Sequence, residues 1–145
     1  MEKSMAATCI ALLLLATIAL YCDAAGPPAP ASDTLFTNKQ LRSNEELRSN
    51  NSFFVFKVQS DCNMVLTRVS DSSVLWSSGT GGKAAGCWVT MQGDGNLVLY
   101  SNQNNAVWMS KTARKEDLYT LMVQDDGNAV IYTASHVAIW STSYD

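Results

Sequence analysis

The chain has 145 residues, 47% of them hydrophobic, and a formal net charge of −3 from 10 basic and 13 acidic side chains. No block of basic residues is present to neutralise phosphates, which excludes nucleic acid and anionic membrane surfaces as expected partners. Two of the four cysteines, Cys9 and Cys22, fall within the first 24 residues; the other two and the one histidine are too few for a four-ligand metal site, and no cofactor is expected.

Residues 1–24 read as a secretory signal peptide. Lys3 precedes an apolar run from residue 6 to residue 21, centred on Leu12, Leu13, Leu14 and Leu15, and the small side chains of Cys22 and Ala24 suit cleavage after Ala24. The run is shorter than the roughly 20 residues needed to span a bilayer, so no membrane insertion is expected. The predicted destination is extracellular, with the vacuole as the alternative.

Residues 25–32 hold all three prolines and read as a flexible leader. Residues 33–145 then form one folded domain. Loss of Glu2, Lys3 and Asp23 leaves 9 basic and 11 acidic side chains, a net charge of −2.

At the start of the domain, Leu35, Leu41 and Leu47 recur every six residues and are candidate inward residues of short strands that complete an unfinished unit. Residues 42–48 have some helical periodicity, but Ser43 and Asn44 interrupt it, and strand and turn are expected. Asn50-Asn51-Ser52 is an N-glycosylation sequon with Asn50 as the acceptor.

From residue 59 the chain repeats itself. Gln59-Ser-Asp61-Cys-Asn63-Met-Val65-Leu-Thr67 is followed by Gln92-Gly-Asp94-Gly-Asn96-Leu-Val98-Leu-Tyr100 and by Gln124-Asp-Asp126-Gly-Asn128-Ala-Val130-Ile-Tyr132, with starts 33 and 32 residues apart. Each copy follows a β-like run and precedes a tryptophan: Trp76, Trp108 or Trp140. Alternating residues, β-branched and aromatic enrichment and closely spaced polar turns predict an all-β domain of three units, each of three or four short strands. One small sheet cannot bury its own face, so three units are expected to share one core filled by the three tryptophans. Trp88 lies outside the repeat and takes no assignment from it.

Cys62 and Cys87 remain after cleavage, and in an exported chain they are most simply one disulfide, worth about 3 kcal/mol on the chain-entropy model.

Within each motif, Gln, Asp, Asn, Val and Tyr occupy every second position. On an extended strand they would share one face. Asp94-Gly95 and Asp126-Gly127 are also hairpin signals, so the same groups could curl around a tight bend. Either geometry gathers two amides, a carboxylate and a phenol beside valine methyl groups. That set offers donors and acceptors for sugar hydroxyls and an apolar patch for the C–H face of a pyranose. Asp, Gly and Asn are ordinary turn residues. Turn chemistry does not explain a Gln two before the Asp or a Tyr six after it.

The triplicated Gln-x-Asp-x-Asn-x-Val-x-Tyr motif resembles the mannose-binding motif of the bulb-type, snowdrop-like lectins of monocot plants. The resemblance covers residues 33–145, including the tryptophans and the cysteine pair. It implies a β-prism of three four-stranded antiparallel sheets with a pseudo-threefold repeat, a Cys62–Cys87 disulfide, and dimerisation by exchange of the C-terminal strand. It also implies that Asp and Asn hold the axial O2 of mannose, Gln holds O3 and Tyr holds O4.

The mannose-binding residues so implied are Gln92, Asp94, Asn96, Val98 and Tyr100 in the second site, and Gln124, Asp126, Asn128, Val130 and Tyr132 in the third. The first site keeps Gln59, Asp61, Asn63 and Val65 but has Thr67 in place of tyrosine, and is expected to be weak or silent. The expected function is that of a secreted, mannose-specific lectin that cross-links mannose-rich glycans as a homodimer or higher oligomer, in a defence-type role.

Two rivals come from other classes. An enzyme is disfavoured, because the lone His136 sits in a turn-like run and the adjacent Asp125 and Asp126 would face opposite ways on a strand, unlike a glycosidase pair. The other rival keeps the fold but has lost sugar binding, acting as a storage or protein-binding, taste-active protein.

Overall fold

Short runs of β-branched and aromatic residues, broken by Gly, Asn, Asp and Ser, form strands and turns throughout residues 31–143, which the computed structural model describes. The predicted signal peptide and all of the leader but Ala31 and Ser32 lie outside the described residues. Three short strands come first: β1 (Thr34–Phe36), β2 (Gln40–Arg42) and β3 (Glu46–Arg48). The first motif follows in β4 (Phe54–Val58), β5 (Met64–Arg68) and β6 (Val74–Ser77). The second uses β7 (Trp88–Met91), β8 (Leu97–Tyr100) and β9 (Ala106–Met109). The third uses β10 (Tyr119–Val123), β11 (Ala129–Thr133) and β12 (Ala138–Ser141). No helix is formed among the described residues.

The strands make three four-stranded antiparallel sheets with orders β3-β4-β5-β6, β2-β7-β8-β9 and β1-β10-β11-β12. This is the expected β-prism. The opening segment does not complete one unfinished unit, however. It gives one strand to each sheet, in reverse order: β1 joins the third repeat, β2 the second and β3 the first. The six-residue spacing of Leu35, Leu41 and Leu47 is the period of that walk around the prism. Each leucine is buried beneath a different sheet. β12 pairs with β11 of its own chain.

The sheets bury one face against a common axis. Phe56, Leu66, Val89, Leu99, Leu121 and Ile131 are fully buried there. Trp76, Trp108 and Trp140 close the core as a three-blade pinwheel with ring centroids 5.6, 5.7 and 5.9 Å apart and planes 73–84° apart. Edge-to-face packing sets the positive edge of each indole against the negative face of its neighbour. The three tryptophans are therefore core residues, as their fixed place in the repeat predicts.

Cys62 and Cys87 form a disulfide, with Cα atoms 5.3 Å apart. Its position obeys the threefold repeat. In the other two units the residue equivalent to Cys62 is a glycine at positive φ, Gly95 or Gly127, both at 85°. A Cβ added to Gly95 would stand 2.9 Å from the Tyr119 ring, and one added to Gly127 would stand 2.7 Å from the Phe54 ring. Those aromatic rings come from the positions equivalent to Cys87. The same junction is thus covalent once and glycine-on-aromatic twice.

Candidate binding site

The polar residues of each motif lie on a hairpin turn, not along a strand. Residues 92–96 connect β7 to β8: Gly95 N–H donates to the Gln92 carbonyl at 3.1 Å, and Gln92 N–H donates to the Asn96 carbonyl at 3.0 Å. Residues 124–128 repeat the pattern at 3.1 and 2.8 Å, and residues 59–63 at 3.1 and 2.8 Å. Of the five alternating residues, only the valine and the last one (Thr67, Tyr100 or Tyr132) belong to the following strand. The alternation in sequence therefore arises from a bend, and glycine at positive φ is what permits it in the second and third copies.

Inside the bend, Asp94 Oδ1 accepts the Asn96 backbone N–H at 3.0 Å, and Asp126 does the same for Asn128 at 3.0 Å. No described group engages the second oxygen of either carboxylate. Gln92 Nε2 donates to the Tyr100 hydroxyl at 2.8 Å, and Gln124 Nε2 donates to that of Tyr132 at 2.6 Å. Each tyrosine therefore keeps its own proton for donation, and each glutamine keeps a second N–H and its carbonyl. In all three sheets the strand register slips beside this position, between Leu66 and Thr67, Leu99 and Tyr100, and Ile131 and Tyr132. Such an irregularity re-aims a side chain next to a functional position.

The asparagine is held from behind. Asn96 Oδ1 accepts from the Ser110 hydroxyl at 3.1 Å and the Thr112 N–H at 3.2 Å, while Ser110 also accepts the Leu97 N–H at 2.9 Å. Asn63 is held likewise by Ser78 at 3.1 Å and Thr80 N–H at 3.2 Å. Asn128 accepts from the Thr142 hydroxyl at 2.6 Å. With the asparagine oxygen committed, its amide N–H groups are turned to other partners; in the third site one donates to Ser141 at 3.1 Å. Sequence reasoning missed this support, although the signal was present. Ser78, Ser110 and Thr142 each follow a repeated tryptophan by two residues and are spaced 32 and 32.

The valines differ from expectation. Val65, Val98 and Val130 are only 6%, 2% and 4% exposed. Their place on the strand sets them between cross-strand neighbours, Thr90 and Met109 for Val98. They are the floor of the site, not an open methyl surface.

The first site is changed in more than one residue. Asp61 Oδ1 still accepts the Asn63 N–H at 2.9 Å. The Thr67 hydroxyl, in contrast, points to the Val55 carbonyl at 3.5 Å, and Gln59 has no tyrosine to bridge to. Lys57 is the cross-strand partner of Val65, where the second site has Thr90 and the third has Met122.

Elsewhere, His136 is exposed in a turn at φ 58°, as expected. Asp125 accepts the Asn51 N–H at 2.8 Å while Asp126 accepts that of Asn128, so the adjacent carboxylates serve different turns. Asn50 is exposed at the bend between β3 and β4. Among the described residues no group of three His, Cys, Asp or Glu side chains could hold a metal ion.

No protein-family model matches the chain. Curated relatives do. A mannose-specific lectin of Galanthus nivalis is 38% identical over 93 residues, which is 64% of this chain and 55% of that protein. The chain spans 48% to 62% of the length of the first such relatives. Solved structures match more completely. A structure from work on monomeric monocot mannose-binding lectins of Gastrodia elata is 41% identical, covers 79% of this chain and 99% of its own, and superposes with a TM-score of 0.71. The mannose-specific agglutinin of snowdrop bulbs, solved with methyl-α-D-mannoside, is 36% identical, covers 79% and 98%, and superposes with a TM-score of 0.66.

Proposed function

Because the chain belongs to the monocot mannose-binding lectin family, we propose that it is a non-enzymatic, mannose-specific lectin whose working sites are the second and third motifs. The observation that carries this reading is the Gln–Tyr bridge, present at 2.8 Å in one site and 2.6 Å in the other and missing from the first. The bridge leaves the phenol proton, a second amide N–H and an amide carbonyl facing outward, next to an uncommitted carboxylate oxygen and the asparagine amide. A mannose can satisfy all of them. Its axial O2 donates to Asp94 or Asp126 and accepts from Asn96 or Asn128, O3 meets the glutamine, and O4 accepts from the tyrosine. Galactose misplaces O4, which leaves the tyrosine proton without its partner, and this mismatch is the basis of selectivity.

Such a site is shallow and polar. A Kd near ~1 mM corresponds to about −4 kcal/mol, and linked sites gain roughly 10²–10⁴ in avidity. The second and third motifs sit on different sheets of one prism, so a single chain already presents two sites to a branched or clustered glycan. A homodimer or higher oligomer multiplies them, and cross-linking of mannose-rich glycans follows. Secretion, directed by residues 1–24, and a defence-type role complete the reading.

The test is retention of the mature protein on immobilised mannose. Elution by methyl α-mannoside but not by methyl galactoside is the expected outcome. Passage of folded protein straight through the column contradicts the reading. Light scattering on the same material reports the oligomer.

A further inference from the structure

The second site differs from the other two by an aromatic residue that the repeat does not explain. Trp88 is the cross-strand partner of Tyr100, and its indole stacks on the Tyr100 ring with centroids 4.8 Å apart and planes 26° apart. Successive residues of a strand face opposite ways, so Trp88 projects from the outer face while its neighbour Val89 is fully buried in the core. The indole stays partly exposed. At the equivalent place the first site has Val55 opposite Thr67, and the third has Thr120 opposite Tyr132. Neither supplies a ring.

Trp88 is not needed to fill the core, which the other three tryptophans close. It is not needed to form the Gln–Tyr bridge either, since Gln124 and Tyr132 make theirs beside a threonine. Next to it along the sheet lies exposed Arg42, so the outer face reads Arg42, Trp88, Tyr100 from the edge inward to the site. A flat apolar face beside a sugar-sized polar site suits the C–H face of a second pyranose. Aromatic rings are suited to this because they present a large rigid apolar surface at a low ordering cost.

We propose that Trp88 forms a second subsite of the second site, which takes the pyranose joined to the mannose held by Gln92, Asp94, Asn96 and Tyr100. The proposal rests on the mannose-binding reading above. It makes the three sites unequal in kind: one weakened, one for a single sugar, and one that reads at least two.

The experiment uses the full mature chain carrying Asp61→Ala and Asp126→Ala, so that only the second site reports. Calorimetry then compares methyl α-mannoside with a branched trimannoside, before and after Trp88→Thr, which installs the residue of the third site. The trimannoside is expected to bind more tightly than the monosaccharide by about three- to tenfold, the range that one ring contact supplies. Trp88→Thr should erase that gain and leave the monosaccharide constant within about twofold, while Trp88→Phe keeps part of the gain. If Trp88→Thr lowers the unfolding midpoint enough to empty the native state, Trp88→Phe decides on the same two constants. Equal weakening of both ligands by a folded variant would mean that Trp88 only props Tyr100, and overturns the subsite. So does a parent that shows no preference for the trimannoside. A parent that binds neither sugar removes the mannose-binding reading itself, and that result is distinct from the loss of the preference alone.

Discussion

Gln92 Nε2 and the Tyr100 hydroxyl, eight residues apart at opposite ends of the second motif, meet at 2.8 Å. The bond ties the turn to the strand that follows and fixes the direction of the phenol proton. Tyr100→Phe removes the acceptor of this bond and the donor to the sugar while keeping the ring. In a chain where Asp61→Ala and Asp126→Ala silence the other sites, mannose affinity should fall by about fivefold or more, in line with roughly 1 kcal/mol for a lost hydrogen bond. Calorimetry reads it; an unchanged constant would show that the bridge plays no part in binding.

The first motif should be repairable. Asp61 and Asn63 keep their turn geometry, and Asn63 keeps its support from Ser78 and Thr80. Thr67→Tyr restores a partner for Gln59. The number of mannose sites per chain is expected to rise from two to three in a titration of saturating stoichiometry. If it stays at two, then Lys57, which lies across from Val65, is the further block, and adding Lys57→Thr is the next variant to titrate.

Support behind the asparagine gives a separate prediction. Ser110→Ala takes away the hydroxyl that donates to Asn96 Oδ1 and accepts the Leu97 N–H. A partly buried N–H then lacks its acceptor, at a cost of about 1–3 kcal/mol of stability. Mannose binding at the second site should weaken as Asn96 loses its fixed orientation, while the third site, supported by Thr142, is unaffected. Urea denaturation and calorimetry on the same sample check both halves.

Gly127 tests the junction between repeats. It sits at φ 85°, and a Cβ there would lie 2.7 Å from the Phe54 ring. Gly127→Ala should destabilise by about 1–3 kcal/mol, from backbone strain together with displacement of the ring. Phe54→Leu in the same chain should recover part of the loss. Strict additivity of the two changes in a double-mutant cycle would deny the contact.

Much of this molecule was legible in its sequence. The 32–33-residue repeat locates the three units, the tryptophan at its fixed place in each locates the core, and the two cysteines outside the first 24 residues form the one disulfide their number implies. The harder features depend on non-local pairing or on the choice between two local geometries. The spacing of Leu35, Leu41 and Leu47 marks them as inward residues, but nothing local says that their strands join three different sheets. Asp94-Gly95 was compatible with a strand or a bend, and only the closure of Gln92 onto Asn96 decides for the bend. The valines looked available because a sequence shows alternation and not what lies across the sheet. The Ser and Thr supports were visible as a 32-residue period but carried no obvious chemistry until the asparagine they hold was placed in space.

The central claim is that the second and third turns hold mannose through Asp94 and Asp126. Calorimetric titration of the mature protein with mannose, a branched mannose oligosaccharide and galactose tests it most directly, alongside the Asp94→Ala/Asp126→Ala double variant. Heat from the mannose ligands alone, abolished in a double variant that still unfolds cooperatively, is the predicted result. Absence of binding to any of the sugars by folded protein would contradict it, and would leave the motifs as scaffold in a protein whose ligand is not a sugar.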